Sequence, residues 1–429
     1  MALVQALNDD HFKTFNDLAE IVQKRLVRVL KNTLFDTAIV TLVFDRYQEA
    51  SIKAAERQRR GATDNVPTHQ IIGNRNVPNY RQFLKGTGNK VDLVQFVSEY
   101  IMENSKATVP HGKSIVIAGG FQNGEEVRSI SSVGLDNVED LYSTHEEADT
   151  RMILHAISLS SLYQRIIVRC DDTDVLVLLL HYMNRGLLAK ETFMHAGHSG
   201  KCVTRERFIP IHIIGDELGD MFCQSLPSAH ALTGCDSTNA FFGVGKKTVF
   251  TTLQKQIESG AVDGLTDPGG PDWIEAARKL VLGLHGNKGQ KCATLNELRY
   301  LLATTTDKQA SQLPPTEDAF KQHSLRARYQ TVIWCSSHIA KPELESPVGN
   351  GWYRDTTGLH PTMFTQESAP AEVRDLTHLY CRDGACTDGT KCTCLMAGLR
   401  CIDICECDHE ACQTTIPNDA DSDADADDQ

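Results

Sequence analysis

Apolar positions along the chain fall into two rhythms. Residues 10–32 (DHFKTFNDLAEIVQKRLVRVLKN) place Phe12, Phe15, Leu18, Ile21, Val22, Leu26, Val29 and Leu30 at helical spacing, which predicts a core-facing helix. By contrast, AIVTLVF (38–44), KSIVIA (113–118) and RIIVR (165–169) are short, β-branched and continuously apolar, as strands of a buried parallel sheet are. Between them the pattern predicts helices over 46–60 and 80–103. A third helix opens at Thr144, with Glu147 completing a capping box, and ends near Leu159. Alternating strands and helices define an α/β chain, a three-layer sandwich around a mostly parallel central sheet. Residues 61–79 are polar and broken by Pro67 and Pro78, and so predict a loop. A short helix is expected over 228–233, and helices over 273–284, 295–304 and 318–332 extend the domain.

The strand ends bring in chemistry. The strand at 38–44 runs into Asp45, and RIIVR runs into Asp171, Asp172 and Asp174. In an open parallel sheet the ligand crevice lies beyond the carboxyl ends of the strands, so acids placed there can converge on a cation. Acidic turns and helix caps account for such residues equally well. Glu146, Glu147 and Asp149 sit in or near the first turn of the helix after Thr144. Downstream, Asp236 follows a Gly234 turn, and Gly243-Val-Gly245-Lys246-Lys247 opens a helix whose backbone N–H groups can hold a phosphate. On the helix at 46–60, Lys53, Arg57 and Arg60 share one face. His195, His198 and Cys202 have zinc-ligand spacing but no fourth partner in view.

The order Glu147-Ala-Asp149, Asp172-Thr-Asp174, Gly234-Cys-Asp236, then Gly243-Val-Gly245-Lys246-Lys247 resembles the flap-endonuclease-like 5′ nucleases of the PIN-like superfamily. The resemblance implies that Asp45, Glu147, Asp149, Asp172, Asp174 and Asp236 hold two Mg²⁺ or Mn²⁺ ions for phosphodiester hydrolysis. It also implies that Lys53 and Arg57 steady the phosphate, and that Gly243, Gly245, Lys246 and Lys247 belong to a helix-hairpin-helix, residues 241–256, on DNA. Asp149 departs from the family's usual Glu. The family's first strand ends in an Asp, and residues 1–7 (MALVQAL) resemble the segment that follows it. A sheet edge left unpaired beside the site and weak cleavage are therefore expected.

Composition qualifies this picture. Of the net charge of −13, six charges are Asp residues of the tail at 419–428, so any basic surface for DNA is local. No run reaches the ~18 apolar residues of a membrane span, and no signal-peptide pattern opens the sequence, so an intracellular, nuclear protein is expected, with no membrane partner. In a reducing compartment the 14 cysteines are thiols or metal ligands.

Eight of them, Cys381, Cys386, Cys392, Cys394, Cys401, Cys405, Cys407 and Cys412, crowd into a segment too short for an apolar core, a strong zinc signal. From Cys392 onward the spacing resembles the second half of a tesmin-type CXC domain, which implies a cluster of two or three Zn²⁺. Lys391 stands where that motif has a DNA-contacting Tyr. The expected organisation is a nuclease-like domain at 1–258, a helical extension at 259–340, a linker at 341–375, a zinc module at 376–415 and an acidic tail at 416–429. The expected function is a Mg-dependent endo- or exonuclease on flap, single-stranded or duplex DNA. The alternative is a catalytically inactive nuclease fold that binds DNA or assembles through its zinc module; the domain pairing resembles proteins of mobile-element origin.

Overall fold

The computed structural model describes residues 12–46, 51–52, 66–197 and 206–366. The chain divides into two compact units, Met1–Met363 and Phe364–Gln429. Lys53, Arg57, Arg60, His198, Cys202 and all eight clustered cysteines lie outside the described residues.

The first helix, α1 (Phe15–Asn32), is capped by Thr14, whose hydroxyl accepts from the Asp17 N–H while Asp17 returns the bond, and it buries Phe15, Leu18, Val22, Leu26 and Leu30. β1 (Ala38–Val43) follows. The helix expected over 80–103 is two, α2 (Tyr80–Phe83) and α3 (Thr87–Asn104), interrupted around Gly86. β2 (Lys113–Ala118) matches its expected bounds. β3 (Val127–Ser131) and β4 (Leu135–Asn137) complete a four-stranded sheet, in which β1–β2 is parallel and the other pairs antiparallel.

Then come α4 (Ala148–Ser160), β5 (Arg165–Arg169), α5 (Thr173–Asn184), β6 (Glu191–Ala196) and β7 (Arg207–Pro210). β5–β6 is parallel and β6–β7 antiparallel, giving a second sheet of three strands. Helices α6 (Ile211–Leu218), α7 (Asp220–Leu232), α8 (Lys246–Glu258), α9 (Trp273–Leu284), α10 (Gly286–Gly289), α11 (Leu295–Thr305) and α12 (Glu317–Cys335) follow. A hairpin of β8 (Trp352–Asp355) and β9 (Gly358–Pro361) lies where a linker was expected.

The chain is thus mixed α/β with parallel pairs in two sheets, where the sequence pattern predicts one. The apolar core is correspondingly split. One buried cluster joins α4, β5, α5 and β6 to α7–α9, α11 and α12, so the helices after residue 259 share the core of the second sheet. A separate cluster joins α1, α2, α3, β2 and β3. Among the described residues, β1 and β5 stand at the ends of their sheets. Every β1 residue is half-buried although the strand is apolar on both faces, whereas β2 beside it is almost fully buried.

A second correction concerns the start of α4. Thr144 is not its cap: the Thr144 N–H donates to Ala340 O, and helix geometry begins at Ala148, with Glu147 at the cap position making no side-chain cap bond. The cap comes from another strand, as follows.

Candidate functional site

Two strand ends meet one helix start. Beyond β1, Asp45 Oδ1 accepts a hydrogen bond from the Ala148 N–H at 2.9 Å, supplying the α4 cap that the local sequence lacks. The Arg46 N–H donates to Glu146 O at 2.8 Å, and Arg46 pairs with Glu125 at 3.3 Å. Glu146 accepts from Ser51 Oγ at 2.5 Å. Asp45 thus reaches the start of α4, where Glu147 is the cap residue and Asp149 lies in the first turn.

Beneath them lies Arg151, fully buried. Its guanidinium donates to Phe44 O at 3.2 Å and to Gly124 O at 2.7 Å, clamping the end of β1 to the loop before β3. Burial pulls its pKa down to about 10, with Arg46 adding to the effect and Asp45 and Glu125 opposing it. Gly119 is required here: its φ is +76° and a Cβ would sit 2.5 Å from Arg151 Nη1. Arg151 was legible in the sequence only as a basic residue four after Glu147.

The β5 exit presents the second group of acids. Cys170 ends the strand, and its thiol is pushed up to about 11, first by burial and then by the nearby carboxylates of Asp149, Asp172 and Asp171. The charge of Asp149 on α4 is therefore felt at the β5 exit. Asp172 caps α5, its Oδ1 accepting from the Asp174 N–H at 3.0 Å, and Asp171 Oδ1 accepts from the Gly197 N–H at 2.5 Å. Asp174 turns away from the others: its Oδ1 meets His230 Nε2 of α7 at 2.8 Å, both side chains almost fully enclosed. His230, in the segment SAHALT, was not anticipated from the sequence.

The glycine hairpin closes on the same helix. α8 starts at Lys246 with Gly245 as cap and no side-chain cap bond. Lys246 does not point outward to a phosphate. While its stem stays at the surface, its ammonium donates to Gly234 O at 2.6 Å and to His230 O and Thr233 Oγ1 at 3.2 Å, and loss of solvent lowers its pKa against the pull of Cys235 and Asp174. Lys247 and Asp236 are exposed, and Gly243, at φ +71°, shapes the turn with open space around it.

The donors are of the right kind for a hard divalent cation, since carboxylate oxygens suit Mg²⁺. In the arrangement seen here, however, no three His, Cys, Asp or Glu side chains among the described residues are placed to hold a metal ion. His195 stacks on Phe208, and the other two members of its expected zinc group, His198 and Cys202, lie outside the described residues. No helix among the described residues is long and apolar enough to cross a membrane. Compared with protein-family models, curated proteins and solved structures, the chain matches none.

Proposed function

We propose that the chain is a nuclease-like protein acting on the phosphodiester backbone of DNA, with its site at the first turn of α4. The observation that carries this reading is that Asp45, just past β1, caps the α4 turn that holds Glu147 and Asp149, while Asp149 and the acids beyond β5 both act on the Cys170 thiol, so that acids stand at the carboxyl ends of two parallel-type strands. Glu147, Asp149, Asp172 and Asp236 are the residues that would hold Mg²⁺ or Mn²⁺; such a cation supplies Lewis acidity and lowers the pKa of bound water. The uncapped start of α8, with Gly243, Gly245 and Lys247, would meet a DNA phosphate. Lys246 supports this surface from within. The two sheets are read as parts of one PIN-like sandwich.

A second reading rests on a specific observation. Asp45, Asp172 and Asp174 each already spend a carboxylate oxygen on a backbone N–H or on His230. That is the behaviour of structural acids, and it favours a catalytically silent fold that binds DNA or assembles through its cysteine-rich segment. Cleavage assays on flap, single-stranded and duplex DNA with Mg²⁺ or Mn²⁺ separate the two. The nuclease reading expects cleavage that Asp149→Asn with Asp172→Asn abolishes while DNA binding persists. Binding without cleavage by the unaltered chain supports the silent fold.

A further inference from the structure

The second sheet turns two different faces outward and inward. In its register Ile166, Val168, Met194 and Ile209 share one face, and all four belong to the buried core or pack against it. The alternate residues share the other face: Arg165, Ile167 and Arg169 of β5, Phe193 and His195 of β6, and Phe208 of β7. Along β5 every second residue is exposed, beginning with Arg165. A sheet face in water is ordinarily polar. This one carries an aliphatic side chain and several rings, with Ile167 52% and Phe208 56% exposed.

The rings are set for a further ring to join them. Arg169, His195 and Phe208 are register partners and form one row across the three strands. Within the row the His195 and Phe208 rings lie parallel, their centroids 4.3 Å apart and their planes 8° from each other. Phe208 is the outer member of the pair, since the His195 side chain is only 16% exposed. At the other end of the row Arg169 is exposed, and its guanidinium is ionised at any ordinary pH. Arg165, by contrast, is held by Glu191 at 2.6 Å.

Charge and shape together identify the occupant. A nucleobase is as flat as these rings, and a nucleic-acid strand joins each base to an anionic phosphate, which an arginine beside an aromatic stack can meet. Only unpaired bases have a face to offer, because in a duplex each is covered by its neighbours. An apolar protein segment fits the face less well, since the outward side chains of β5 are two arginines around a single isoleucine. The row also adjoins the acids of the candidate site: the Cys170 N–H donates to His195 O at 3.1 Å, and the Gly197 N–H donates to Asp171 Oδ1.

We infer that the outward face of the β5, β6 and β7 sheet binds single-stranded nucleic acid, with a base stacked on Phe208 and a phosphate at Arg169. A strand seated there lies next to the β5 exit, so the inference narrows the substrate of the nuclease reading to unpaired strands. It rests on that reading only for what happens to the strand afterwards. The binding is argued from the sheet.

Fluorescence anisotropy tests it, with the full chain, a labelled oligodeoxythymidylate of about 15 nucleotides, and no added magnesium or manganese. Phe208→Ala is expected to weaken binding about tenfold, and Phe208→Tyr, which keeps the ring, to leave it within about twofold. Arg169→Gln should reduce the slope of log affinity against log salt by about 0.7. Both positions are exposed, so the melting temperature should stay that of the unaltered chain. Binding of a duplex of the same length should not respond to Phe208→Ala. The inference is overturned if the unaltered chain does not bind the single strand, or if Phe208→Ala and Arg169→Gln both bind it unchanged. It is equally overturned if sedimentation shows a dimer that Phe208→Ala dissociates, since the face then serves a second copy of the chain. Single-strand binding that these variants weaken, in a chain that cleaves nothing when Mg²⁺ is restored, upholds the surface and removes the nuclease reading alone.

Discussion

Asp174 and His230, on α5 and α7, join two helices of one core through a 2.8 Å contact at which both side chains are nearly enclosed. Removing one partner strands the other without water. Asp174→Ala is therefore expected to destabilise the protein by about 1–3 kcal/mol in denaturant titration, and Asp174→Asn, which keeps an acceptor, by less. Equal stability of the alanine variant would show that the pair carries no structural role.

Asp45 serves α4 as a cap from a distant strand. Asp45→Ala should cost about 1 kcal/mol without any divalent ion present. Asp45→Asn should recover much of that loss, because its amide oxygen can still accept from Ala148. A stability change that appears only when Mg²⁺ is added would mark Asp45 as a ligand first and a cap second.

If the acids at the strand ends recruit a cation, their mutual repulsion is relieved on binding, and the melting temperature should rise with Mn²⁺. That rise should vanish in Asp149→Asn with Asp172→Asn. An identical response in the double variant would place the cation elsewhere.

Three buried histidines set an acid limit. Burial holds the pKa of His155 at about 4, with Arg151 adding to the effect; His181 and His323 are likewise held at about 4, chiefly by burial. The unfolded chain takes up these protons near the ordinary value of about 6.5 and the folded chain does not, so stability is full above that pH and is lost as pH falls from 6.5 to 4. The loss at pH 4 is on the order of 3 kcal/mol for each group. His323 Nε2 lies 2.7 Å from Leu232 O, as a donor would. His323→Gln, which keeps a donor there, should flatten the pH dependence of the denaturation midpoint by about one proton's share.

The cysteine-rich segment makes its own test. Eight thiolates suffice for two separate four-ligand sites, or for a three-ion cluster if a further ligand such as His409 joins. Elemental analysis of residues 375–415, purified without chelator, should give two or three zinc per chain. A metal-free segment would remove zinc from the reading.

What the sequence disclosed, and what it hid, divides along local and distant interactions. β2, β5 and α9 were legible because each is encoded within its own residues, by a β-branched run or by an apolar stripe. The start of α4 was misplaced because Thr144 and Glu147 offered a plausible local cap, whereas the cap in the fold is Asp45, 103 residues earlier. At the site, the clustering of Glu147 and Asp149 followed from their neighbourhood. The diversion of Asp174 to His230 and of Lys246 to the Gly234 carbonyl did not, since each depends on which side chain or carbonyl a remote turn delivers.

The distance along the chain between partners also has a temporal meaning. Tyr182 of α5 donates its hydroxyl to Trp334 O of α12 at 2.9 Å, and His145 Nε2 meets Ile339 O at 2.8 Å. At ordinary synthesis speeds of ~5–20 residues per second, roughly eight to thirty seconds separate the emergence of Tyr182 from that of its partner. During this interval α5 and α7 have left the ribosome without the helix that seals their core. Until α12 arrives, the parts of α5 and α7 that it covers stay open in the nascent chain.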